Sequence, residues 1–439
     1  MSLSKLPYKG TRDFFPTEMR KRDFIFNRMK KIAELHGYEA YDGPMVEEVE
    51  LYLAKSGEEL INEQIYSFID RGERKVAIRP EMTPTLARMV AQVHREFPKP
   101  LRWYAIPNLM RYEKPQKGRL REHWQFNCDI FGAPEGLGEI EILQVASGLL
   151  KSFGATEEHF EILLNDRRVV DAVFKQLLRL NDEQSHKLYK VIDRAKKVSQ
   201  EALDKMISEI ISLDSVKAHF KEYLALTTIS QLKDFLARHG LKDAASGFLV
   251  FAEKLAPAGL SRCVVYDPTI VRGLDYYTGV VFEIFDKSPE NRRAICGGGA
   301  YGNLLQIFNE PALGGVGFGL GDVTLTDFLE THKLLPEFKS QNCDVLISYL
   351  EESLEPQAFE LAQKLRAQDI KTELYFGEAK PKKVFQYAEK KGHKSVTIIG
   401  SDEIKNGSFE FKRMRDQEKA VVTSHQFSEL KEFLELNHG

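Results

Sequence analysis

No two cysteines lie close together in this chain. Cys128, Cys263, Cys296 and Cys343 are widely separated and none forms a CxxC pair. That spacing excludes zinc fingers and small disulfide-built domains. It predicts free thiols in a reducing compartment, hence a cytoplasmic setting, and no metal held by protein ligands alone. Long apolar runs are missing too, so neither a membrane span nor a secretory segment is expected, and no membrane partner. Charge is not biased to one sign: 62 Lys and Arg face 65 Asp and Glu, for a net charge of -3. Nucleic-acid binding, if present, must come from local patches. Glycine is absent between Gly154 and Gly240, so that region has few tight turns. Its 439 residues suit roughly two to four domains.

What is present concentrates in a few stretches. VRGLDYYTGVVFEIF, residues 271–285, ends in a β-branched and aromatic run that reads as a buried strand. Its first half sets Arg272, Asp275, Tyr276 and Tyr277 beside Gly273 and Gly279. A guanidinium is costly to bury unless it meets an anion. Two readings stand: a surface turn in which Asp275 satisfies Arg272, or a site where Arg272 meets an anionic ligand. Two glycine-rich stretches follow, CGGGAYGN at 296–303 and GGVGFGLG at 314–321. Glycine within a strand marks a bend, a bulge or close approach by a ligand. Two such strands in succession suggest a sheet with a small molecule lying flat on it.

Taken in order, residues 18–36 carry Ile25, Met29, Ile32 and Ala33 at helical spacing, with Gly37 as a C-cap. Pro44 then sits at a strand edge or bend. RKVAIRPEMTPTLARMV, residues 74–90, reads as strand, turn and helix, with Thr83 as N-cap and Pro84 at the first helical position. Glu81 falls at the strand end, either exposed to solvent or placed to bind an ammonium. Residues 101–131 read as a long antiparallel hairpin carrying Arg111 and Glu113, a loop with Lys114, Gln116, Lys117, Arg119 and Arg121, then Gln125 and Asp129. The basic tip is either a solvated turn or a phosphate or nucleic-acid contact. Residues 165–258 hold repeated amphipathic helix patterns. After about residue 342, strands alternate with helices, as in a mixed α/β domain.

These motifs, in this order, resemble those of class II aminoacyl-tRNA synthetases, and most closely the histidyl-tRNA synthetase family. RGLDYYTG and CGGGAYGN are similar to its two histidine-specific signatures. RYEKPQKGRLREHWQFNCDIFG resembles the class II hairpin that binds ATP and the acceptor end, and RPEMTPTLARM its amino-acid-binding turn. The resemblance implies an α+β fold, an antiparallel sheet core flanked by helices, in five parts. These are a first catalytic part at 1–164, a helical insertion at 165–258, a second catalytic part at 259–331, a linker at 332–341 and an anticodon-binding mixed α/β domain at 342–439.

It also implies a reaction and its residues. Histidine's carboxylate attacks the α-phosphate of ATP, and the terminal ribose of tRNA(His) then takes the histidyl group. Arg111 and Arg272 match the catalytic arginines. Glu113, Arg119 and Arg121 match ATP contacts, with Mg2+ accompanying the nucleotide. Glu81, Thr83, Arg111, Gln125, Asp129, Arg272, Tyr276, Tyr277 and Tyr301 match the histidine pocket. Lys114 and Gln116 match acceptor-end contacts, and Lys380, Lys382 and Lys383 are the candidates at the anticodon. A homodimer is expected, paired near residues 38–46. The chain departs from the pattern in places. Asp129 stands where many members have Glu. Val323 and Thr324 replace the Glu-Arg pair of the third motif, whose Arg stacks on adenine. Ala300 and Gly302 flank Tyr301 in place of Arg and Asp. Either another side chain clamps the adenine, or ATP binds weakly, or the chain is a non-catalytic paralogue, such as the regulatory subunit of ATP phosphoribosyltransferase.

Overall fold

The computed structural model describes residues 3–53, 63–196, 198–271, 277–338, 343–377, 380–423 and 426–435, the side chain of Ala244 excepted. The chain divides into two compact units, one of residues 1–14 and 22–336, the other of 15–21 and 337–439.

The larger unit is built on a nine-stranded sheet. Its strands are β1 (Glu39–Ala40), β5 (Leu101–Ala105), β6 (Asn108–Met110), β7 (Glu122–Phe131), β8 (Phe160–Asp166), β9 (Val264–Tyr266), β10 (Val280–Asp286), β11 (Ala294–Tyr301) and β12 (Gly315–Gly321). The order is β1-β5-β7-β12-β11-β10-β8-β9, with β6 also on β7. Only the edge pairs β1–β5 and β8–β9 are parallel. A smaller sheet has the order β2 (Val46–Glu48), β4 (Lys75–Ile78), β3 (Tyr66–Ile69). The expected hairpin is present: β5 and β6 both run antiparallel to β7.

Alternation along each strand separates two faces. Phe126, Cys128 and Ile130 of β7, Phe282 and Ile284 of β10, and Ile162 and Leu164 of β8 point into one large apolar cluster. That cluster takes Ile25, Met29 and Ala33 of α1 (Pro16–Leu35), four residues apart on one helix face, and the apolar side of α4 (Leu137–Ser152). On the opposite face Leu101, Phe131, Leu163, Tyr277, Val281 and Tyr301 pack with Leu86 and Val90 of α3 (Thr83–Val93). Helix α3 starts one residue earlier than the capping pattern suggests. Met82 is its N-cap, no side chain caps it, and Thr83 is its first residue. Proline within the first turn costs no hydrogen bond, so the helix tolerates Pro84 there.

Residues 165–258 complete β8 and then form α5 (Arg167–Ala172), α6 (Asp182–Arg194), α7 (Gln200–Ile210), α8 (Asp214–Leu224), α9 (Ile229–Arg238) and α10 (Ser246–Lys254), with a π-helical turn after α5. Polar caps start several of them: Asn181, Ser199 and Thr228 side chains accept from the backbone N–H three residues on. Leu188, Ile192, Phe220, Tyr223 and Phe235 join the same apolar cluster as the sheet, so these helices are packed onto the larger unit.

In the second unit, β13 (Val345–Tyr349), β14 (Thr372–Leu374), β15 (Ser395–Ile399), β16 (Ser408–Arg413) and β17 (Lys419–Thr423) follow the order β14-β13-β15-β16-β17. The first three are parallel and the last two antiparallel to their neighbours. One face is covered by Ala358, Leu361 and Leu365 of α12 (Glu355–Arg366), the other by Val384 and Ala388 of α13 (Pro381–Lys391). No helix among the described residues is long and apolar enough to cross a membrane.

Candidate active site

Strands β11 and β12 pair glycine to glycine: Gly297 lies opposite Gly319, and Gly299 opposite Gly317. The space that side chains would take is used by neighbours. A Cβ on Gly319 would run into the Gln125 amide, and one on Gly317 into the Asp129 carboxyl. One on Gly315 would meet the Tyr301 ring, and one on Gly299 would stand 2.8 Å from Tyr277 Cδ1. Alternation explains the gathering. Gln125, Asn127 and Asp129 leave β7 on the face opposite Phe126 and Cys128, directly over the glycines of β12.

Asp129 is 3% exposed, and the Tyr301 hydroxyl donates to its Oδ1 at 2.5 Å. Among the described residues its Oδ2 has no hydrogen-bond partner. Burial raises the carboxyl to about 7, against the Tyr301 hydrogen bond, which lowers it. A buried acceptor left open is costly unless a ligand meets it.

Beside this pocket lies a cavity of about 690 Å³. Arg111, Glu113, Arg119 and Gln125 line it, together with Glu283 of β10 and Gly297, Gly319 and Gly321 of the floor. Arg111 Nε donates to the Pro80 carbonyl at 2.8 Å, which ties the hairpin to the turn that carries Glu81. Glu81 is buried, and Thr83 half-buried, in that turn. Arg119 pairs with Glu113. His123 also faces the cavity. Burial lowers its imidazole to about 3, and Arg111, Arg12 and Arg119 push the same way, so the ring is neutral.

Some expected residues stand elsewhere. Glu81, Thr83, Asp129, Tyr277 and Tyr301 do not line the cavity; the last three form the adjoining pocket over the glycines. Arg121 turns away: it donates to the Tyr8 hydroxyl at 2.7 Å and the Glu113 carbonyl at 3.1 Å, and stacks 4.1 Å from the Tyr112 ring. The nearby N-terminal backbone explains this, since Arg121 N–H donates to the Gly10 carbonyl. Arg272 and Tyr276 lie outside the described residues, although Thr269 and Ile270 just before them line the same cavity as Arg111. Lys114 and Gln116 are exposed on the hairpin loop; Lys380, Lys382 and Lys383 are exposed at the start of α13.

Several cavity residues were not singled out from the sequence. Asp193 and Lys196 reach it from the helical region, and Arg292 and Arg293 from the turn before β11. Arg12 pairs with the buried Asp322, whose other oxygen accepts from Trp124 N–H at 2.9 Å. The only sequence signal was the double arginine directly ahead of the glycine stretch.

An antiparallel sheet with a basic hairpin crossing a glycine floor is the architecture of a class II aminoacyl-tRNA synthetase. Residues 10–322 match the histidyl-tRNA synthetase family profile, and residues 344–435 an anticodon-binding domain. The chain belongs to the histidyl-tRNA synthetase family. It is 43% identical over 429 residues to a histidine–tRNA ligase of Leptospira biflexa, with 97% of each chain covered. It is 35% identical over 420 residues to a chloroplastic/mitochondrial histidine–tRNA ligase of Arabidopsis thaliana, covering 95% of this chain and 84% of that one. In fold it is similar to a histidyl-tRNA synthetase from Nostoc sp. PCC 7120, with a TM-score of 0.82, 21% identity and 99% of each chain covered. It is also similar to a protein from Bacillus halodurans described as an ATP phosphoribosyltransferase regulatory subunit/histidyl-tRNA synthetase. There the TM-score is 0.74 at 22% identity, covering 91% of this chain and 100% of that one.

Proposed function

We propose that this protein joins histidine to tRNA(His) in two steps. In the first, a histidine carboxylate oxygen forms a bond to the α-phosphorus of ATP and pyrophosphate leaves. In the second, a ribose hydroxyl of the tRNA attacks the adenylate carbonyl and AMP leaves. The observation that carries this reading is the buried Asp129–Tyr301 pair, with an open carboxyl oxygen, beside an arginine-lined cavity on a bare glycine floor. A hydrogen-bonding pocket of this kind rejects isosteres that lack the ring nitrogens, because its buried polar groups would be left unpaired.

Each residue then has a role. Asp129, Tyr301 and Tyr277 hold the imidazole. Gln125, Glu81 and Thr83 hold the ammonium. Arg111, with Arg272, flanks the α-phosphate and stabilises charge as the phosphorus becomes five-coordinate. Arg119 meets the distal phosphates, releasing Glu113. Glu113 and Glu283, cavity carboxylates with the oxygen donors that magnesium takes, would hold the ion that accompanies ATP, which would supply charge neutralisation at the polyphosphate. Arg121 acts from behind, by fixing the hairpin against Tyr8 and Tyr112.

Lys114 and Gln116 are placed for the acceptor end of tRNA, and Lys380, Lys382 and Lys383 for its anticodon. A two-fold homodimer in the cytoplasm completes the proposal. The test is histidine-dependent exchange of pyrophosphate into ATP. Exchange with histidine and with no other amino acid is the expected result; no exchange would remove the proposal. The regulatory-subunit reading draws on the altered third motif and on the Bacillus halodurans likeness. It predicts no exchange and co-purification with a phosphoribosyltransferase.

A further inference from the structure

Among the described residues that line the cavity, Arg293 and the more exposed Arg292 are the cations without an ion pair or hydrogen bond. The remaining cavity cations have partners: Arg111 donates to Pro80, Arg119 pairs with Glu113, and Lys196 pairs with Asp267. Among the described residues no carboxylate pairs with Arg293, although it is half-buried and lines the cavity.

Its placement is braced. Asn291, two residues earlier, donates to Asp286 at 2.7 Å and to the Thr331 hydroxyl at 3.0 Å. Asp286 also accepts from Ser288 N–H at 2.7 Å, which closes the turn. Lys117 donates to the Glu290 carbonyl at 3.2 Å, so the tip of the β6–β7 loop is tied to the same turn. Gly118, at φ +72°, gives the arginine its path: a Cβ there would stand 2.9 Å from Arg293 Cδ and 3.4 Å from Thr324 Cγ2. Arg293 and Thr324 therefore flank one glycine. Thr324 is turned into the backbone, where its hydroxyl donates to the Ile295 and Gly321 carbonyls at 3.2 Å. Position 324 offers the cavity no charge, and position 293 does.

We infer that Arg293 lies flat on the purine ring of the bound nucleotide and is its base clamp. A planar, weakly hydrated guanidinium suits an aromatic face. The cavity's other nitrogen ring, His123, is uncharged and does not repel it. This rests on the nucleotide reading of the same cavity. It adds a residue from outside the recognised motifs, carried by a turn at the opposite end of β11 from Tyr301.

The test is calorimetric titration of the full-length protein with ATP and with AMP. Arg293→Ala is expected to weaken both about 10-fold or more, in line with a desolvated cation–π contact, with the histidine KM within about two-fold of wild type. Arg293→Lys keeps the charge but not the plane, and is expected to resemble Arg293→Ala toward AMP. Restoration of ATP binding by Thr324→Arg in the Arg293→Ala background would support a shared position. Unchanged AMP and ATP affinity in Arg293→Ala would overturn the assignment. So would a loss confined to ATP, which would make Arg293 a phosphate contact, or full AMP affinity in Arg293→Lys. The titrations need no catalysis. A wild type that binds ATP and AMP but exchanges no pyrophosphate would sink the histidylation reading and leave the Arg293 assignment to stand or fall by itself.

Discussion

Asp129 holds two demands at once. Burial keeps its carboxyl near 7, while Tyr301 anchors one oxygen. The unfolded chain would ionise it near the ordinary carboxylate value of about 4. The folded state therefore keeps a proton that the unfolded state gives up. The contribution to stability is fully present below about pH 4 and is lost as pH rises through about 7. Asp129→Asn removes that loss. Relative to wild type, the variant's Tm should climb between about pH 4 and pH 7 and level off above, as read by differential scanning fluorimetry. The same variant should raise the histidine KM at least about 10-fold, because a hydrogen bond to a charged or shared-proton group is exchanged for a weaker one. Arg111→Ala should lower the exchange rate about 100- to 1,000-fold, the scale of losing one preorganised electrostatic donor. Arg111, Arg119 and Tyr301 could be picked out from sequence because each sits in a contiguous motif, although Arg121 of the same motif turns away to Tyr8 and Tyr112. Arg293 could not. Its place in the cavity depends on the turn before β11 meeting the β6–β7 loop, a contact between segments about 170 residues apart, as Lys117 to Glu290 illustrates.

At the scale of elements, β11 and β12 carry the site because they carry almost nothing else. The sequence identified both as glycine strands but not their register, which sets Gly297 on Gly319 and Gly299 on Gly317. Register depends on pairing partners that a single sequence does not specify. Two alanine substitutions separate the two uses of these glycines. Gly319→Ala would push on the end of a Gln125 amide, which can move, so it should mainly raise the histidine KM with little loss of stability. Gly298→Ala would set a methyl against the Gly317 carbonyl and 2.7 Å from Phe318 Cβ, neither of which can yield. It should cost about 1–3 kcal/mol of stability, measured by urea denaturation. The helical region tells the opposite story. Its helices were legible from amphipathic periodicity; caps such as Asn181 and Thr228 came only with the structure. That Leu188, Phe220 and Phe235 would merge with the sheet's own core was not legible, because amphipathic spacing says that a face is buried, not against what.

On the scale of the whole molecule, the match to the histidyl-tRNA synthetase profile lies almost wholly in one unit of the chain and the match to an anticodon-binding domain in the other. The net charge of -3 hides this division, since cations gather locally at the hairpin loop and the start of α13. Changing Lys382 and Lys383 together to Glu should weaken tRNA binding and make its loss with salt shallower, because fewer phosphates are neutralised, while leaving histidine-dependent exchange at the wild-type rate. Filter binding across a salt series, set beside the exchange assay, checks this. An equal fall in both would place those lysines in general folding instead. The family was evident from the order of motifs. The anticodon-type domain was legible as alternating strands and helices, but its mixed sheet order was not, since β16 and β17 add to a parallel core by local hairpin geometry.

The bare backbone beneath the candidate pocket also bears on drug resistance. An inhibitor resting on Gly319, which lines the cavity, would touch a peptide group, which no point mutation can delete. The simplest mutational answer, a bulkier residue, would collide with Gln125 before it reached the compound. An organism that blocked such a molecule in this way would disturb the side chain proposed to hold its own amino acid.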